Sequence, residues 1–309
     1  MGLLARLNPE QQEAVLQTEG PLLILAGAGS GKTRVIAHRI AHLVSGKMCE
    51  SDRILAVTFT NKAAGEMRAR VETLLGVDCR QMWISTFHAL CARLLRREAP
   101  HVGLSRHFVI YDSTDQLAVI KQAMRQVGLD DSSVQPRRAL SRISHAKNRM
   151  EGPEAFASDA WNPQDRHLGA IYEFYLKALH DANALDFDDL LLKTVELFER
   201  SELVRDRYGD KFRFLMVDEY QDTNRPQYLL IQRLAARHRN LCVVGDPDQS
   251  IYKWRGADLR NILDFEHDFP EARTVTLERN YRSTQVILDA ASAVIAQNRN
   301  RKEKRLYTE

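Results

Sequence analysis

The stretch Ala26-Gly27-Ala28-Gly29-Ser30-Gly31-Lys32-Thr33 constrains this chain more than any other feature. It follows an apolar run at 21–26 and precedes a segment with Val35, Ile36, Ile40, Leu43 and Val44 on one helical face. An apolar strand that ends in glycines and reopens as an amphipathic helix is the context of a phosphate-binding loop. The glycines let backbone N–H groups turn inward around phosphates, and the helix N-terminus adds positive partial charge. Ala28, Gly29, Ser30 and Gly31 would form that cradle. The Lys32 side chain is long enough to reach β- and γ-phosphates, and the Thr33 hydroxyl suits Mg²⁺. Ala26 stands where the commonest form of the loop has glycine; it ends the strand, where a small residue suffices. A loop of this kind commits the chain to an α/β fold with a parallel sheet.

The chain's 309 residues, 44% hydrophobic and 28% charged, exclude a largely disordered protein. No apolar run reaches the roughly 18–20 residues a bilayer span needs, and residues 1–9 do not read as a signal peptide. Cys49, Cys79, Cys91 and Cys242 show no metal-ligand spacing and read as ordinary reduced cysteines. The expectation is a cytoplasmic protein, nucleoid-associated if bacterial, with no membrane partner.

A phosphate loop needs carboxylates for the metal and for water. Residues 214–217 form an apolar strand that delivers Asp218 and Glu219 at its C-terminal end, the edge at which doubly wound sheets bind ligands. Asp218 is expected to hold Mg²⁺ and Glu219 to act as general base on the attacking water.

Further strands are expected at 54–60, 82–87, 108–111, 241–245 and 274–277. Between about 98 and 202 the pattern is helical, with candidate helices at 114–127, 136–149, 164–182 and 186–199 and 108–111 as its one strand-like piece. Gly128, Gly152-Pro153 and Asn162-Pro163 punctuate the helices. The fold class is therefore α/β, a P-loop domain with a parallel sheet interrupted by a mostly helical insertion. The net charge of +3 is uneven. Residues 96–150 carry ten Lys/Arg against five Asp/Glu, residues 296–309 five against two, and residues 151–295 eighteen against twenty-six. A basic block of this kind is a candidate nucleic-acid footprint.

Seven motifs, in order, resemble those of superfamily 1 helicases of the UvrD/PcrA/Rep group. Asp218-Glu219-Tyr220-Gln221-Asp222 resembles the DExx box. Leu7-Asn8-Pro9-Glu10-Gln11 is similar to the Q motif and residues 56–64 to motif Ia. Ser85-Thr86-Phe87-His88 resembles the TFH element, and Asp186-Phe187-Asp188-Asp189-Leu190 the FDDL segment. Residues 244–257 resemble motif III and residues 277–283 motif IV.

The resemblance implies a RecA-like motor domain at 1–100 and 200–281, an insertion domain at 101–199, and the start of a second motor domain at 282–309. It implies ATP with Mg²⁺, and single-stranded DNA or single/double-strand junctions as partners. Gln11 would read adenine, with Arg34 and Tyr281 either side of the base. Gln249 would sense the γ-phosphate and Arg282 would neutralise charge developing on it. Phe59, Thr60, Asn61, His88, Tyr252, Trp254 and Arg255 would contact DNA, Trp254 by stacking. Arg137, Arg138, Arg142, Lys147 and Arg149 are candidates for duplex contact.

The implied activity is ATP-driven, 3′–5′ translocation and unwinding in DNA repair or replication restart. The family's two later motifs, which the second motor domain carries, are not found in 283–309, so slow hydrolysis and no unwinding are expected of these residues alone. Two other readings stand beside this one: a non-catalytic ATP- and DNA-binding module, and the motor half of a helicase–nuclease related to RecB or AddA.

Overall fold

The computed structural model describes residues 2–129, 135–158, 163–298 and 302–309. Asn162, Asn300 and Arg301, a break and part of the basic tail in the sequence reading, lie outside the described residues. In chain order the strands are β1 (Leu22–Ala26), β2 (Ile54–Thr58), β3 (Trp83–Thr86), β4 (Val109–Ile110), β5 (Ala184–Leu185), β6 (Phe214–Val217), β7 (Leu241–Gly245) and β8 (Arg273–Leu277). Six of them form one sheet in the order β3-β2-β6-β7-β1-β8, every neighbouring pair parallel.

The apolar runs are continuous because both faces of the sheet are covered, and alternate residues feed two different cores. Leu23, Leu25, Leu55, Val57, Leu215, Val217, Leu241 and Val243 face one core. Leu22, Ile24, Ala26, Ile54, Ala56, Phe214, Met216, Cys242 and Val244 face the other. The second core is closed by α1 (Pro9–Leu16), α2 (Lys32–Ser45) and α3 (Asn61–Leu75). The first is closed partly by α4 (Phe87–Glu98).

The interruption holds α5 (Ser113–Gln126), α6 (Pro136–Asn148), α7 (Pro153–Ser158) and α8 (Pro163–Asp181). Their apolar faces meet in a third core running from Ile120 to Ala184. It also contains a second strand that the sequence reading did not expect, since β4 pairs in parallel with β5. The helix α9 (Phe187–Arg200), which carries the FDDL segment, sends Leu190, Leu191, Val195, Leu197 and Phe198 into the sheet's core. Within the segment expected as an insertion over 101–199, Tyr111, Val119 and residues from 120 to 184 share the separate core, whereas Leu104, Phe108 and α9 belong to the sheet's core.

Back at the sheet, α10 (Glu202–Lys211) and α11 (Arg225–Ala235) complete the first core. The short α12 (Arg260–Leu263) and α13 (Phe265–Asp268) lead into β8, and α14 (Gln285–Ile295) follows it. This last helix buries Leu288 but exposes Val286, Ile287 and Val294. Because all six strands are parallel, the residues after β1, β2, β3, β6, β7 and β8 emerge at a single edge. That edge receives the phosphate loop, Phe59–Asn61, His88, Asp218-Glu219, Asp246–Gln249 and Tyr281-Arg282.

The insertion is anchored to the sheet layer by a buried charge cluster. Asp186 caps α9, accepting from Asp189 N at 2.8 Å while Asp189 Oδ2 accepts from Asp186 N at 3.2 Å. Lys147 Nζ on α6 lies 2.7 Å from both Asp186 Oδ2 and Asp189 Oδ1, and Tyr175 donates to Asp186 Oδ2 at 2.9 Å. Lys147 is 1% exposed. It is therefore corrected from a candidate duplex contact to an internal counter-ion. Arg149 pairs with Glu151 at 2.6 Å and Arg142 lies over the Phe156 ring, whereas Arg137 and Arg138 are exposed. Removing one partner of a buried ion cluster leaves an uncompensated charge, which costs about 3–5 kcal/mol. Lys147→Ala is expected to lose that much stability in urea unfolding; a loss within experimental error of zero would contradict the assignment.

Candidate active site

The loop between β1 and α2 is held open by backbone conformations that favour glycine: Gly29 has φ 71° and Gly31 φ 91°. A side chain at Gly29 would also collide with Asn280, whose Nδ2 donates to Ala28 O at 2.5 Å. Tyr281 N donates to Gly29 O at 3.0 Å. The segment after β8 therefore braces the phosphate loop from one side. On the other side, Gln11 Nε2 donates to Ser30 O at 2.9 Å. Gln11 is fully buried, and its Oε1 accepts from Asn8 N at 3.2 Å in the N-terminal cap of α1. These bonds use one N–H and one acceptor site of the Gln11 amide, leaving one of each for an adenine edge.

Five side chains from three strand ends meet at the loop. Lys32 Nζ lies 3.2 Å from Gln249 Oε1 and 3.9 Å from Glu219 Oε2. Thr33 Oγ1 donates to Asp218 Oδ2 at 3.2 Å. Asp218 is buried at the end of β6, and burial, then the neighbouring Glu219 carboxylate, lift its pKa to about 6. Such a carboxylate is short of positive charge. A hydroxyl and a buried carboxylate side by side beside a glycine cradle are a donor set that fits Mg²⁺ bound to phosphates. Glu219 sits in the left-handed region at φ 52°, a conformation that costs a non-glycine residue about 1–3 kcal/mol and is concentrated at functional sites.

Two residues outside the sequence prediction frame this cluster. Gln221 Nε2 donates to Glu219 Oε2 at 2.9 Å, and Gln221 Oε1 accepts from Asp246 N at 3.0 Å. Asp246 in turn accepts from Gln249 Nε2. Both residues lie inside motifs read in the sequence, but only their folded contacts reveal what they orient. Arg282 is exposed beside Gly29. Arg34 occupies the first turn of α2, donating to Arg6 O. Tyr281 is exposed with Arg279 over its ring.

The same edge carries a row of aromatic groups. Trp254 is 68% exposed, tilted against Tyr252 with centroids 6.4 Å apart and the Arg255 guanidinium 4.6 Å from its ring. It is not part of any core. Phe59 is half-buried, edge-on to Phe87 at 5.7 Å. His88 lies 5.6 Å from Phe187, which is 52% exposed and was not singled out in the sequence. Burial, and then the Arg255 guanidinium, hold the His88 imidazole below its ordinary value. Thr60 caps α3 by accepting from Ala63 N at 3.1 Å, leaving Asn61 exposed at that helix's N-terminus. Aromatic faces, a cation and an exposed helix N-terminus together suit the bases and backbone of a single strand.

A family model described as the UvrD/REP helicase N-terminal domain matches residues 7–270. The ATP-dependent DNA helicase PcrA of Bacillus subtilis (strain 168) is 53% identical over 307 residues, covering 99% of this chain and 42% of the relative. PcrA proteins of Staphylococcus epidermidis and Staphylococcus aureus are 51% identical over 306 residues, with the same coverage. The chain thus spans less than half the length of these relatives.

The raised pKa of Asp218 has a thermodynamic signature. An unfolded aspartate ionises near pH 4, roughly, whereas the folded one ionises at about 6. The cost of burying the charge is absent below the lower value and complete above the higher one. Without nucleotide, Asp218→Asn is expected to melt above the unsubstituted chain at pH 8, with the gap narrowing at pH 5. A gap independent of pH would contradict this.

Proposed function

The chain belongs to the UvrD/REP helicase family through its N-terminal domain, and from that membership we propose that it supplies the Mg-ATP site and a single-stranded-DNA grip of a DNA helicase. The observation that carries the reading is the meeting of Lys32, Thr33, Asp218, Glu219 and Gln249 from three strand ends, on the edge that also exposes Trp254 and Phe187. We assign residues 1–100 and 200–281 to the motor unit, 101–199 to the insertion and 282–309 to the start of a second unit. That second unit would supply the facing wall of the nucleotide site.

The chain's residues divide the chemistry. Backbone N–H groups of Ala28–Thr33 bind the phosphates. The Lys32 ammonium, which rests on Gln249 and Glu219, transfers to phosphate oxygen. The Glu219 carboxylate accepts the proton of the water that attacks the γ-phosphorus as the β–γ bridging bond breaks. Thr33 and Asp218 would hold Mg²⁺, which when bound screens the charge on the β- and γ-phosphates. Gln249 orients the γ-phosphate end, and Arg282 offers a cation beside it. Arg34 and Tyr281 flank the loop where the base would lie, and Gln11 supports that loop from beneath.

DNA is gripped by Trp254, Tyr252 and Phe59 through stacking, by His88 and Arg255 through polar contact, and by Thr60 and Asn61 at the start of α3. Nucleotide-dependent closure and reopening would shift this grip relative to that of the facing unit, giving directional movement, 3′–5′ by family resemblance. Service in repair or replication restart, junction DNA as substrate with Arg137 and Arg138 on the duplex, and a cytoplasmic, nucleoid-associated location follow from the same reading.

Lys32→Ala is expected to abolish ATP turnover while leaving oligo-dT affinity within about threefold, since the lysine faces phosphate and not DNA. Trp254→Ala is expected to weaken oligo-dT binding by about 5–150-fold, the range set by stacking of one base. Turnover that survives the first change, or DNA affinity that survives the second, would refute the respective assignment.

A further inference from the structure

The last described segment folds back onto the candidate site. Tyr307 N donates to Glu278 O at 3.1 Å and Asn280 N donates to Tyr307 O at 2.7 Å, extending the sheet edge beyond β8. Arg305 N donates to Glu278 Oε1 at 2.6 Å, Thr308 N donates to Gln285 Oε1 at 3.0 Å, and Arg279 pairs with Glu309 at 2.8 Å. The Leu306 side chain lies against Gly27, where a Cβ would strike it. This anchoring delivers Lys304 to the end of β7. Its Nζ lies 2.5 Å from Asp246 Oδ1 and also meets Asp248 Oδ2, with the Lys304 side chain 5% exposed.

We propose that Lys304 is a positioning residue for the γ-phosphate end of the nucleotide site, acting through Asp246 on Gln249. The inference rests on the ATP-site reading above. The Asp246 and Asp248 side chains are 3% and 7% exposed and share the Lys304 ammonium, so its removal would take from Asp246 the cation on its Oδ1. With Oδ1 fixed by Lys304 and by Asp248 N at 3.0 Å, Asp246 turns Oδ2 toward Gln249. An ionised carboxylate only accepts hydrogen bonds, so the Gln249 amide must present its NH₂ to Asp246. Its Oε1 is thereby directed at Lys32, 3.2 Å away. Lys304 touches neither phosphate nor metal on this reading; it keeps the Gln249 carbonyl on the Lys32 ammonium and leaves the second Nε2–H of Gln249 to donate to the γ-phosphate.

The test is the preference for Mg-ATPγS over Mg-ADP, measured by calorimetric titration of the whole chain. Lys304→Met is expected to lower that preference about tenfold, with ADP affinity changed by less than about twofold, because only the γ-phosphate end is disturbed. Lys304→Arg is expected to retain most of the preference. Lys304→Met/Asp248→Asn rebalances the buried charge without restoring the hold on Asp246, so its preference stays low. Full preference in either Met variant overturns the proposal, as does a parallel fall in ADP and ATPγS affinity. Loss of the folding transition in both Met variants makes Lys304 a fold residue and overturns it too. An unsubstituted chain that binds neither nucleotide refutes the ATP-site reading and this inference with it, whereas one that discriminates, with variants that match it, refutes this inference alone.

Discussion

The buried amide of Gln221 joins two strand ends that the rest of the site depends on. Its NH₂ reaches the Glu219 carboxylate at the end of β6, and its carbonyl receives the Asp246 N–H at the end of β7. A side chain at Gly245 would collide with this amide, which explains the glycine that closes β7. Through Glu219 the bridge reaches Lys32 and the phosphate loop. Through Asp246 it reaches Gln249, which touches Lys32 from the opposite side. The ring of contacts is closed, so a change in what Lys32 holds must be felt at both strand ends.

The same framework extends to the aromatic row. Ser250 Oγ donates to Gln221 O at 3.4 Å, two residues before Tyr252. Asp258 N and Asn261 Nδ2 both donate to Thr223 O, at 3.0 and 2.9 Å, pinning the far side of the Trp254 loop to the residue that follows the DEYQD segment. Asn148, from the insertion, meets three partners at this point. It accepts from Asn224 Nδ2 at 2.5 Å, donates to Asp188 Oδ1 at 3.0 Å and abuts Gly256. Insertion, carboxylate loop and Trp254 loop are thus one polar structure. Movement of any one requires the others to move or their bonds to break.

Much of this was legible because it is written locally. The phosphate loop, the acidic pair after β6 and the alternation of strands and helices are features of short range, and all appear where the residues place them. What could not be read depends on pairing at a distance. Lys147 counts as surface charge in the sequence, but Asp186 and Asp189, 39 and 42 positions away, take it into the interior. The strand β5 has two residues and is defined only by its partner β4. Helix α9 shows an apolar face in either setting, and the sequence does not say whether that face meets the sheet or the insertion. Gln11 illustrates a reading that is local and still incomplete: Asn8 and Gln11 have capping-box spacing, and that cap takes one acceptor site of the amide assigned to adenine.

The central claim is that phosphate site and DNA platform share one framework, so their occupancies are linked. Linkage requires the same factor in both directions. The direct measurement is the affinity of the chain for oligo-dT with and without saturating Mg-ATPγS, alongside the affinity for Mg-ATPγS with and without saturating oligo-dT. The account predicts one common factor, about fivefold or more, in both titrations. A factor of one, in a chain that binds both ligands, would contradict it.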